Sequence, residues 1–115
     1  MDIITRDHER IVIFDINGEI RVSDTGGPTL HELVKSHLER GKRDILLNLQ
    51  NVGFIDSFGV GQILGSYVST QNLGGKLKLC QVSKKIYLIF QITNLVRVLE
   101  IFDDCDAALR SFETA

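Results

Sequence analysis

The spacing of apolar residues changes several times along the chain. Ile11-Val12-Ile13-Phe14-Asp15-Ile16 is a β-branched run that puts Val12, Phe14 and Ile16 on one face at period two. Ile3 to His8 predicts a strand before it, joined through Glu9-Arg10 as a hairpin. Asn17-Gly18 signals a turn or bulge, after which Glu19 to Val22 resumes the strand. Leu30, Leu33, Val34 and Leu38 then recur at three- and four-residue steps, which predicts an amphipathic helix over 28–40. Ser23, Asp24 or Thr25 is expected to cap it, Pro28 sits at its start, and Gly41 stops it.

Asp44-Ile45-Leu46-Leu47-Asn48-Leu49 hardly alternates, as expected of a central strand covered on both faces. Val60, Ile63, Leu64, Tyr67 and Val68 mark the apolar stripe of a second helix, ended by Asn72-Leu73-Gly74-Gly75. Lys76-Leu77-Lys78-Leu79-Cys80 alternates and reads as a strand with one exposed face. Ser83 is expected to cap a third helix running to Ile92, and Val98 to Phe102 to form a last strand. Asp103, Asp104 or Asp106 then starts a final helix with Ala108, Leu109 and Phe112 turned inward. A β-rich start followed by helix–strand alternation predicts an α/β domain over 1–115, a mixed β-sheet with helices packed on it. Right-handed crossovers put successive helices on one side unless the strand order reverses.

Composition narrows the function. The 115 residues carry 13 Lys+Arg against 15 Asp+Glu, a net charge of −2, which offers no broad footprint for direct nucleic-acid binding or an anionic membrane. No apolar run approaches the roughly 18–20 residues of a membrane span, and the first residues lack a basic-then-apolar leader. The two cysteines, Cys80 and Cys105, match no metal-ligand spacing. A cytoplasmic protein with reduced thiols, no metal and no cofactor is the expectation.

The candidate site is Phe54-Ile55-Asp56-Ser57-Phe58-Gly59-Val60-Gly61, where a strand hands over to a helix. Ser57 falls at or near the helix N-terminus, where unpaired N–H groups and the macrodipole suit a phosphate as well as a plain cap. Gly59, Gly61 and Gly65 miss the dinucleotide fingerprint by one residue, no Gly-Lys-Ser/Thr is present, and Gly61 and Gly65 more simply allow close helix packing. A serine nucleophile needs a base and an orienter, and none of His8, His31 and His37 is placed to meet Ser57. Asp56 is expected to cap or bond backbone in the turn. No catalytic residue is assigned. Ile86-Tyr87-Leu88-Ile89-Phe90-Gln91-Ile92 is apolar almost all round, which means deep burial or a partner patch at Tyr87 and Leu88.

The serine loop, with Leu47-Asn48-Leu49 before it and Leu64-Gly65-Ser66-Tyr67 after it, resembles the signature of bacterial anti-sigma factor antagonists, the STAS-domain proteins. Asn17-Gly18-Glu19-Ile20 and Gly74-Gly75-Lys76-Leu77 match the family's Gly-Glu-Leu segment and Gly-Gly turn, so the resemblance spans essentially the whole chain. It implies a single STAS domain with helices mainly on one face of the sheet, and a partner switch. The unphosphorylated protein binds an anti-sigma factor that is also a serine kinase, releasing a sigma factor. Phosphorylation of Ser57 breaks the complex, and a serine phosphatase resets it. The partner-binding residues implied are Arg21, Asp56, Ser57, Phe58, Gly59 and Val60. Two depart from the pattern: Arg21 stands where Asp is common, and Phe58 replaces Ser or Thr. Both leave open an alternative, a STAS phospho-switch whose kinase controls an output other than a sigma factor. The apolar third helix leaves weak homodimerisation open as well.

Overall fold

A computed structural model describes residues 1–22 and 27–113. Five strands make one sheet in the order β1 (Asp2–His8), β2 (Ile11–Ile20), β3 (Asp44–Ile55), β4 (Lys76–Cys80), β5 (Glu100–Phe102). β1 and β2 form the predicted antiparallel hairpin; every later neighbour is parallel. The strand order never reverses, so crossovers of one hand place the connecting helices on one face. α1 (Leu30–Glu39), α2 (Ser57–Asn72) and α3 (Lys84–Ile92) lie there, and α4 (Cys105–Ser111) packs on the other.

Period two sorts the core. Val12, Phe14 and Ile16 of β2 and Ile45, Leu47 and Leu49 of β3 meet Leu30, Val34, Leu38, Ile63, Ile86 and Phe90 of the three helices. Ile11, Ile13 and Leu46 point the other way and are covered by Ala108, with Leu109 of α4 and Phe112 just after the helix around it. The apolar run at 44–49 is thus a strand buried on both faces, as expected. It continues six residues further, to Ile55, because Asn51, Val52, Phe54 and Ile55 pair with the last residues of β2 across two register shifts. Gly18, at φ +106, sits at the second shift, where a side chain is disfavoured.

Several expectations are corrected. α1 begins at Leu30, and its cap is Thr29, whose hydroxyl accepts from the Glu32 N–H while the Glu32 carboxylate accepts from the Thr29 N–H. The candidates Ser23, Asp24 and Thr25 lie outside the described residues. The buried stripe of α2 is Gly59, Ile63, Ser66 and Thr70, whereas Leu64 and Val68 are exposed. Ser66 and Thr70 donate to the carbonyls of Gln62 and Ser66 one turn back, so small side chains with satisfied hydroxyls let α2 sit close to the sheet. Of the two glycines read as helix-packing residues, Gly65 abuts the His31 ring and Gly61 faces open space.

β4 has no exposed face beyond its first residue. Lys78 is 4% exposed, its ammonium donating to the carbonyl and hydroxyl oxygens of Ser111 and pairing with Glu100 at 3.2 Å, beside the Phe112 ring. Alternation alone could not reveal that α4 covers this side. The last strand is shorter than expected, because Leu95–Arg97 forms a 3₁₀ turn ahead of it. Cys80 and Cys105 are not reduced thiols: they form a disulfide, Cα atoms 5.2 Å apart, because α4 returns its first residue to the end of β4. Ser83 and Asp104 cap α3 and α4 as expected.

Leu47 is fully buried and Leu88 is 54% exposed. Leu47→Ala should therefore lower the free energy of unfolding by about 2–5 kcal/mol, and Leu88→Ala by less than about 0.5 kcal/mol. Urea titration of both variants checks this, and equal losses would contradict the assigned core.

Candidate functional site

The serine loop lies where β3 ends and α2 begins, beside the end of β2. Asp56 is the N-cap of α2: its carboxylate accepts from the Gly59 N–H at 2.9 Å and, from across the sheet, the Val22 N–H at 3.0 Å. The Asp56 N–H donates to the Ile20 carbonyl at 3.3 Å, and the Val60 N–H donates to the Asp56 carbonyl at 3.0 Å. One residue thus ties the tip of β2 to the first turn of α2. The carboxyl is held below the usual carboxylate range, first by the Gly59 N–H and then by the Val22 N–H.

Gly59 is required by the same closeness. A Cβ there would land on the Ile20 carbonyl oxygen and 2.8 Å from a methyl of Ile55, and backbone cannot yield as a flexible side chain can. Ser57 is the first residue of α2 and is exposed. Among the described residues its hydroxyl has no hydrogen-bond partner, because Asp56 does the capping. The other two helices on this face differ. Thr29 at α1 and Ser83 at α3 use their own hydroxyls as caps, accepting from the Glu32 and Ile86 N–H groups. Sequence position could not separate a capping serine from a free one; the distinction needs the helix to start at 57 rather than 58.

Arg21 lies between Ile20 and Val22, both bonded to Asp56, and is therefore held at the rim of the loop. It is exposed and pairs with Glu19 at 3.2 Å. Phe58 is 37% exposed. It lines a small cleft with Ile20, Arg21, Pro28, Thr29 and Leu30, packing on the approach to α1. Val60 is half-buried against the core. The structure thus brings Arg21, Asp56, Ser57, Phe58, Gly59 and Val60 to one end of the β2–β3 pair.

The three histidines have partners elsewhere in the fold. His8 pairs with Ile11 at the far end of β2, His31 bonds Ser69 and His37 bonds the Leu33 carbonyl. Among the described residues no group of three His, Cys, Asp or Glu side chains could hold a metal, and no helix is long and apolar enough to cross a membrane.

Comparison with known proteins places this geometry. The STAS domain profile matches residues 2–108. The chain is 29% identical over 108 residues to the anti-sigma F factor antagonist of Paenibacillus polymyxa, covering 92% of this chain and 90% of that one. It is 30% identical over 101 residues to the anti-sigma-B factor antagonist of Bacillus subtilis, covering 88% and 90%. The crystal structure of a Thermotoga maritima protein superposes with a TM-score of 0.83 at 26% identity, covering 95% and 92%. The phosphorylated form of the Bacillus cell fate determinant SpoIIAA shares the fold, with a TM-score of 0.70 at 20% identity over 96% and 99%.

The lowered titration of Asp56 sets a pH dependence. A carboxyl depressed in the folded state stabilises fully above its ordinary value of about 3.9. That contribution is lost as the pH falls through this value towards the folded one. Asp56→Ala should melt below the wild type at neutral pH, with the gap narrowing below about pH 4. Calorimetry across this range tests it, and a gap independent of pH would show that the charge is not what Asp56 contributes.

Proposed function

The chain belongs to the STAS-domain family, and from that premise we propose that it is an anti-sigma factor antagonist switched by phosphorylation of Ser57. The observation that carries the proposal is the division of labour at the start of α2: Asp56 caps the helix and leaves the adjacent Ser57 hydroxyl exposed and unbonded. A kinase can reach that oxygen without breaking a cap. In this reading the unmodified surface docks on an anti-sigma factor with serine kinase activity, a serine phosphatase restores it, and the single domain acts by binding, not catalysis.

The physics of the switch is local. A phosphate adds about −1.5 to −2 charges and three acceptor oxygens. At the first turn of α2 the macrodipole favours the added negative charge, so the fold survives. On the docking surface the same charge must be desolvated beside the Asp56 carboxylate. Each ~1.4 kcal/mol of that penalty is tenfold in affinity. Arg21 supplies the one charge reversal at the rim, and in this proposal it faces an acidic group of the partner. Weak self-association through α3 belongs to the same proposal, with Tyr87, Leu88 and Ile92 as the exposed apolar residues a second copy would cover.

Incubation with the cognate kinase and ATP should add one phosphate, which Ser57→Ala abolishes. Ser57→Asp should weaken partner binding by about tenfold or more with an unchanged melting temperature. Phosphate on Ser66 or Ser69 instead, or unaltered affinity of the Asp variant by titration calorimetry, would overturn the switch.

Arg21→Asp should lower affinity for the same partner, with a slower association rate and a weaker salt dependence. Equal or tighter binding of this variant by surface-plasmon kinetics would end the partner-choice role of Arg21.

A further inference from the structure

The Cys80–Cys105 disulfide takes no part in the serine switch. It joins the last residue of β4 to the first residue of α4. Cys80 is fully buried and Cys105 half-buried, so a reagent meets the pair from the Cys105 side. The main core of the domain lies on the opposite face of the sheet and includes neither sulfur. A chain of 115 residues can bury a core large enough to fold without a cross-link.

α4 is the least embedded helix. It has seven residues, of which Ala108 alone is fully buried. The disulfide holds its first residue, and the Lys78 ammonium holds its last, Ser111. Ala108 and Leu109 between them, with Phe112 just beyond, cover Ile11, Ile13 and Leu46. The bond therefore clamps the start of α4 directly to β4, where otherwise the chain is held only through the end of β5 three residues earlier. Next to it, the Gln81 N–H donates to the Phe102 carbonyl at 3.0 Å, closing the seam between β4 and β5.

We infer that Cys80 and Cys105 form a reversible thiol–disulfide site whose state sets how tightly α4 docks on the sheet, with a low-molecular-weight thiol as reductant and its disulfide as oxidant. The exchange is balanced. A small thiolate attacks the Cys105 Sγ, the Sγ–Sγ bond breaks, and the Cys80 sulfur leaves with the electron pair and takes a proton. A second small thiolate attacks the outer sulfur of the mixed disulfide. It releases the small-molecule disulfide and leaves Cys105 as a thiol after protonation. Two electrons and two protons enter the protein as two small thiols become one disulfide, and the reverse sequence restores the bond. Reduction replaces a covalent bond by a non-bonded contact that needs more room, and it opens the loop between two positions 25 apart in sequence. The first turn of α4 then lifts from β4, loosening the cover over Ile11, Ile13 and Leu46 while Lys78 still holds Ser111.

The test uses the full chain without denaturant and without any partner. Its failure is therefore separate from failure of the serine switch. The protein is equilibrated with reduced or oxidised glutathione, trapped with N-ethylmaleimide and weighed intact, and amide exchange is followed in parallel. Trapping should add no label to the oxidised form and two to the reduced form, reversibly. Exchange should quicken by roughly tenfold or more across Cys105–Ser111 in the reduced form, with α1 and α2 unchanged. Cys105→Ser, which keeps one thiol, should show the reduced-form exchange pattern with at most one label whether or not thiol is present. Labelling only after denaturation, failure of oxidised glutathione to close the pair, or equal α4 exchange in the two states would overturn the inference. Should the serine variant not fold, the two redox states of the native sequence decide alone.

Discussion

The Asp56 carboxylate is the interaction on which the functional end of the molecule depends. It reaches in two directions, along α2 to the Gly59 N–H and across the sheet to the Val22 N–H. Each partner is a backbone group that would otherwise lack one: an early amide of a helix, and an amide just past the end of a strand. A hydroxyl cap would satisfy the helix but has neither the second oxygen nor the charge to bind the strand end as well. The close fit of Gly59 against the Ile20 carbonyl follows from this linkage, since the bonds draw the helix start onto the tip of β2. So does the placement of Arg21, whose two neighbours are both bonded to Asp56.

What the sequence made legible, it made legible through period. Phe14 and Leu47, with their neighbours, announce strands because β-branched and leucine runs of that length bury well in a sheet covered by helices, and the structure places them in the core. The site loop was legible as a strand-to-helix junction because Asp, Ser and Gly cluster between two apolar patterns. What stayed hidden depended on the second layer. Lys78 reads as an outward residue of an alternating strand, yet α4 returns across that face and supplies Ser111 and Phe112 to receive its ammonium and stem. The disulfide was hidden for the same reason, since two cysteines 25 residues apart meet only once α4 has docked. The α2 stripe was legible at Val60, Ile63 and Tyr67, which face the core, but not at its inner edge, because Ser66 and Thr70 are polar by composition but silent in the fold, their hydroxyls turned back onto their own helix.

The two faces of the sheet divide the work. The face bearing α1, α2 and α3 holds the continuous core and presents the starts of those helices beyond the ends of the parallel strands. The other face carries a single short helix over a small apolar floor. Beyond it β1, β2 and β3 show polar side chains, with Arg6 bonded to Asp15, Asp15 to Asn48, and Asn17 to Asn51. Burying a large surface on one side gives the loop a stiff base. The thinly covered side lies away from the serine loop, on the opposite face of the sheet from α2.

A rigid base is what a charge switch requires. If phosphate had to act by unfolding its own domain, the signal would have to exceed the whole stability of the fold, roughly 5–15 kcal/mol. A switch that only alters a docking surface needs a few kcal/mol, which the desolvation of one doubly charged group under a partner can supply. The demand on the protein is then geometric: the modified oxygen must be free before modification, exposed, and carried on backbone that does not yield. Three helices start at the same end of this sheet, each behind a Ser, Thr or Asp cap. At α1 and α3 the hydroxyl is spent on the cap, so phosphorylating it would remove the bond that starts the helix. At α2 the acid carries that bond and the hydroxyl stands one residue further on. In the proposed switch, Asp before Ser, in that order, separates the job of holding the helix from the job of carrying the signal.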